Sequence, residues 1–203
     1  GYFGKDNEVD HITNSAGFRG GEFSTQKPEN TFRIAFLGDS FTFGEGVLFE
    51  DTYAEQASIL LNQRYAGSGV KFESYNFGVG GYNTAQELYA LKNIVLRTLP
   101  DAVVVKYDVS EAESSLYRVD DTTQEIARSP RWYEEPGNIL EPLPPDKFIY
   151  KFRLPKLVWQ FFKNQKQNKL MVAYYKSIFK EKNPGWQESR SALLEIIKLC
   201  GNN

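Results

Sequence analysis

Apolar positions along the first half of the chain fall into short runs, and each run ends in a turn. Thr31-Phe32-Arg33-Ile34-Ala35-Phe36-Leu37 is β-rich and empties into Gly38-Asp39-Ser40, the pattern of a buried strand entering a turn. Asp51-Thr52 followed by Glu55 has the spacing of a capping box, and Ala54, Ala57, Leu61 and Tyr65 continue it as a helical stripe that ends near Gly67. Val70 to Phe77 predicts a second strand. Thr84 with Glu87 repeats the capping spacing ahead of Leu88, Leu91 and Val95, and that helix closes at Leu99-Pro100. Asp101 to Tyr107 predicts a third strand. Strands alternating with helices over short connections call for right-handed crossovers and a parallel sheet, a doubly wound α/β domain. Ligands of such a domain bind at the carboxyl ends of the strands.

The flanks read differently. Residues 1–30 are polar, rich in Gly and Asn and without a sustained period, which predicts an irregular arm over the surface of a core at 31–111. From Ala112 to Asn183 lie 72 residues with no further clear strand, an insertion or cap. Its stretch Pro130 to Pro145 resists regular structure. Two amphipathic helices follow, one through Leu154, Leu157, Val158, Phe161 and Phe162, the other through Met171, Tyr174, Tyr175, Ile178 and Phe179. Residues 184–203 predict a core helix opened by Pro184 and ending at Cys200-Gly201-Asn202-Asn203. Gly and Asn at such an end prepare a turn into another strand, so the natural chain is expected to continue past Asn203. No internal repeat is present.

Composition narrows the classes. With 203 residues, 41% hydrophobic and 25% charged, the chain can bury a core and is neither disordered nor collagenous. A single cysteine, Cys200, excludes a disulfide scaffold. The net charge of -2 gives no electrostatic case for nucleic acid as a partner. That charge is segregated, because residues 147–182 carry +9 and the remainder therefore -11. The same segment holds nine aromatic residues. It has two readings: helices packed on the domain with solvated lysines, or a cap contacting an acylated glycan or an anionic membrane surface. No apolar run approaches the roughly 20 residues that span a bilayer. Compartment and oligomeric state are not legible.

Chemistry concentrates after the first two strands. Ser40 stands at the end of the first, where its hydroxyl can be exposed and its own N–H aimed at an oxyanion; Gly-Asp-Ser is equally good turn chemistry. Asn76-Phe77-Gly78-Val79-Gly80-Gly81 occupies the same position after the second strand, either as a flexible turn or as a place where backbone N–H groups approach a ligand. A dinucleotide fingerprint fails there, since Gly78 and Gly80 are followed by Asn83. The chain has one histidine, His11, beside Asp10 in the arm, whose context is that of a solvated loop residue. No Cys/His cluster offers a zinc site, and no metal is expected.

Together these blocks resemble the SGNH family of GDSL-type esterases and acylhydrolases. Arg33 through Gly44 is similar to its first block and Asn76 through Thr84 to its second; Pro100 through Val105 leads to its third, and Asn14 through Gly20 is similar to the arm many bacterial members carry. The resemblance covers about residues 14 to 111, with the helix after Pro184. It implies a flavodoxin-like three-layer α/β/α sandwich with a parallel sheet and, here, a helical insertion after the third strand. It also implies an ester hydrolase or O-acyl transferase with Ser40 as nucleophile, the Gly81 N–H as oxyanion donor, Asp39, Gly80 and Asn83 around the substrate, and no cofactor. Carbohydrate and lipid acyl esters are the substrate classes it admits.

Two departures stand against it. The third block has Ser110-Glu111 where the family shows Asn-Asp, so Ser110 is either a substitute oxyanion donor or a loop residue. No Asp-x-x-His occurs, and without a base a serine is a weak nucleophile. Either those residues lie past Asn203, or the chain is a non-catalytic binding or assembly module that kept the fold.

Overall fold

A computed structural model describes residues 9–113, 117–119, 126–128 and 153–201. The chain divides into two compact units, 1–115 with 187–203, and 116–186.

The first unit is an α/β three-layer fold. Its sheet has strands β1 (Thr31–Gly38), β2 (Lys71–Gly78) and β3 (Ala102–Val105) in the order β2-β1-β3, all parallel. Helices α1 (Ser40–Phe43) and α2 (Tyr53–Arg64) follow β1, and α3 (Thr84–Asn93) follows β2. The alternation of β1 explains the layers, because successive side chains leave opposite faces. Ile34 and Phe36 pack with Ala54, Ala57 and Leu61 of α2 on one face. Ala35 and Leu37 pack with Phe77, Ala90, Leu91, Val95 and Ile196 on the other. Ile196 belongs to α5 (Pro184–Gly201), the helix that Pro184 opens.

The arm departs from expectation. Far from lying wholly on the surface, it inserts Phe18 into the core against Phe77, with ring centroids 5.1 Å apart. Asn14 makes this turn, its Oδ1 accepting the N–H groups of Ala16 and Phe18, both at 3.0 Å. Arg19 next to it is fully buried and donates to the carbonyls of Phe43, Gly44 and Val47, tying down the chain that leaves α1.

One helix cap is corrected. The capping box of α3 is Asn83 with Gln86, one residue upstream of the expected Thr84 and Glu87. Thr84 and Glu87 are both fully buried, so neither is free to cap. At α2 the expected cap residue holds, with the Thr52 side chain accepting the Glu55 N–H at 3.4 Å.

In the second unit, β4 (Tyr117–Val119) and β5 (Ile126–Arg128) pair antiparallel, two three-residue strands with no clear signal in the sequence. In place of two helices there is one, α4 (Arg153–Ile178). The polar stretch between the two apolar groups has no glycine or proline to break it, and Pro155 falls in the first turn, where a missing N–H costs nothing. Tyr174 and Tyr175 meet edge to face near its end, as do Phe179 and Trp186 beyond it. The expected Pro-rich segment 130–145 lies outside the described residues.

Candidate functional site

The carboxyl ends of β1, β2 and β3 bring three loops together. At the first, Asp39 caps α1: its Oδ1 accepts the Phe41 N–H at 3.0 Å, and its main-chain carbonyl accepts the Phe43 N–H at 2.9 Å. Ser40 is therefore the first residue of a helical turn, the position whose N–H has no intrahelical acceptor. Among the described residues neither the Ser40 hydroxyl nor its N–H has a hydrogen-bond partner.

The end of β2 abuts this turn. A Cβ on Gly78 would lie 2.2 Å from the Phe43 nitrogen, and one on Gly38 would lie 1.9 Å from Thr42 Oγ1, so no side chain fits at either position. The Asn76 amide bridges the same gap, donating to the Thr42 carbonyl at 2.7 Å. Beyond Gly78 the chain turns through Gly81 at φ 82°, a conformation that favours glycine. A Cβ on Gly80 would come within 4.0 Å of Ser40 Cβ. The N–H groups of Gly80 and Gly81 have no partner among the described residues. Ser40, Gly80 and Gly81 thus present unpaired donors at adjoining turns.

The other expected residues have other partners. Ser110 donates its one hydroxyl proton to Asp108 Oδ1 at 2.6 Å, and its N–H goes to the same oxygen at 2.7 Å. Asn83 caps α3, and its amide donates to the Glu113 carbonyl at 3.1 Å. His11 accepts the Gly46 N–H at Nε2, 3.4 Å away, and meets the Phe43 ring edge to face.

Around Asp39 stands a charged group that sequence reasoning missed. Lys106, just past β3, reaches Asp39 Oδ1 at 3.0 Å and also pairs with Asp108 Oδ2. Burial alone would raise the Asp108 carboxyl, but hydrogen bonds from Lys106 and Ser110 outweigh it and hold the group below its ordinary range. Glu111 is fully buried; its Oε2 accepts from Thr84 Oγ1 at 3.2 Å while its Oε1 has no partner. Thr84 meets Ser189 Oγ at 3.0 Å, and Ser189 meets the Tyr107 hydroxyl at 3.0 Å. Glu87, one turn into α3, is 0% exposed with both carboxyl oxygens unpartnered. Burial, then the charge of Glu111, pushes it up to about 9; burial, then the charge of Asp39, pushes Glu111 up to about 7. The clue was positional: Lys106, Asp108 and Glu111 all follow a strand at its binding end.

Comparison of the chain with protein-family models, with curated proteins and with solved structures gives no match.

Proposed function

We propose that the first unit is an SGNH-type ester hydrolase or O-acyl transferase that works through an acyl-Ser40 intermediate. The observation that carries this reading is that, among the described residues, the Ser40 hydroxyl and N–H have no partner, Gly80 lies beside Ser40, and the N–H groups of Gly80 and Gly81 are likewise unpartnered. Such donors suit the negative oxygen of a tetrahedral intermediate, and each contributes about 10²- to 10³-fold in rate where it is well placed. In the proposed step Ser40 Oγ bonds to the acyl carbon, its proton leaves with the alcohol, and water or a second alcohol then takes the acyl group. Carbohydrate or lipid O-acyl esters are the proposed substrates, with contact to a membrane surface through residues 147–182 as part of the same proposal.

A second reading, a non-catalytic binding module, is favoured by one observation. The Ser110 hydroxyl proton is held by Asp108, which leaves Ser110 without a proton for an oxyanion. Hydrolysis of p-nitrophenyl acetate by the chain and by Ser40→Ala separates the two. Turnover that Ser40→Ala abolishes supports the enzyme; turnover equal to that of Ser40→Ala supports the module.

A further inference from the structure

Four carboxylates and one ammonium interact where β1 and β3 end. Asp39, Asp108 and Glu111 each place a carboxylate oxygen within 4.8 Å of the other two. Glu87 feels Glu111 most strongly among its charged neighbours, and then Asp39. Lys106 is bonded to Asp39 and Asp108, whereas Glu111 makes no direct ion pair among the described residues. A buried carboxylate oxygen with no partner is costly, and here Glu111 Oε1 and both oxygens of Glu87 stand so.

We propose that Asp39, Asp108 and Glu111 form a binding site for a hard divalent cation of the calcium or magnesium class. The donor set is all carboxylate oxygen, which selects such ions over zinc or copper. The spacing is compatible with a shared ion, because two oxygens on one ion coordinated at about 2.4 Å stand no more than about 4.8 Å apart. A second pointer is the burial of Glu111, 1% exposed, whose carboxylate belongs to the cluster and whose Oε1 has no partner while Oε2 accepts from Thr84. Asp39 Oδ2 likewise accepts no hydrogen bond among the described residues. Lys106 opposes the ion with one positive charge and sets the affinity low. The site does not depend on an ester reaction at Ser40.

The test uses the full chain, stripped with EDTA and titrated with Mn²⁺ at pH 8, free Mn²⁺ being read by its paramagnetic resonance signal. Competition by Ca²⁺ and by Mg²⁺ then separates the two ions. One saturable site is expected, weakened at least about tenfold by Glu111→Gln and unchanged by Asp51→Asn, an exposed acid elsewhere. Asp108→Asn provides the same comparison if Glu111→Gln does not fold, and Lys106→Met is expected to tighten binding. Absence of saturable binding up to about 10 mM, beyond the range of weak calcium sites, overturns the proposal. So does binding that neither carboxylate substitution weakens.

Discussion

Lys106 Nζ lies 3.0 Å from Asp39 Oδ1, so a side chain just past β3 holds the residue that caps the Ser40 turn. The same ammonium stands 4.4 Å over the Phe41 ring, on the other side of Ser40 in sequence. The turn carrying the proposed nucleophile is thus fixed from β3 as well as from β1. Lys106→Met leaves Asp39, whose side chain is 9% exposed, without its cation. Removing one partner of a fully buried pair costs about 3–5 kcal/mol. Lys106 is partly exposed, so about 1–3 kcal/mol is expected. Urea unfolding monitored by circular dichroism measures it.

Glu87 makes a pH prediction. Its carboxyl titrates at about 9 in the folded chain, above its unfolded value, because burial and then Glu111 disfavour the charge. Over that interval the native state binds more protons than the unfolded one, so its contribution to stability is full at acid pH and is lost as pH rises toward 9. Glu87→Gln removes this loss. The fall in Tm between pH 6 and pH 9 should shrink by about 4–8 °C if about 2 kcal/mol is involved. An unchanged slope would place the titration elsewhere.

Gly78→Ala tests the contact between β2 and the Ser40 turn. Its new methyl would meet backbone at 2.2 Å, at Phe43, which cannot rotate away as a side chain could. A loss of about 1–3 kcal/mol is expected from such overpacking. Any Ser40-dependent turnover should fall by more than the folded fraction does, since α1 must shift. Equal losses would mean that the turn absorbs the methyl.

Arg19→Met removes the guanidinium that satisfies the carbonyls of Phe43, Gly44 and Val47. Buried hydrogen bonds to a charged group contribute about 1.5–3 kcal/mol, and a methionine cannot replace them. The expected result is a lower Tm together with faster proteolysis near residues 44–47. Retained protection there would show that Phe18 alone anchors the arm.

The layered fold was legible because β1 alternates cleanly and its two faces needed two sets of partners. Ile34 and Phe36 could only turn away from Ala35 and Leu37, and the stripes after Thr52 and Asn83 supplied the covers. What failed to show were buried polar groups. Arg19 was expected in a surface arm and Thr84 with Glu87 as a capping box, because burial of a charge or hydroxyl depends on partners distant in sequence. The misplaced cap of α3 has that cause: Thr84 turns inward to Glu111 and Ser189, and Asn83 takes the cap. The site was half legible. Ser40, Gly80 and Gly81 stood out by type and position, whereas the carboxylate cluster is assembled across residues 39, 87, 108 and 111, and no local pattern joins them.

Nucleophilicity of Ser40 is tested most directly by the intact mass of the chain after exposure to an alkyl fluorophosphonate. Attack by Ser40 Oγ on phosphorus expels fluoride and leaves one stable phosphonyl ester, whether or not turnover is fast. One adduct that peptide mapping places on Ser40 and that Ser40→Ala abolishes is the predicted result. An unmodified mass, or an adduct that persists in Ser40→Ala, would contradict it.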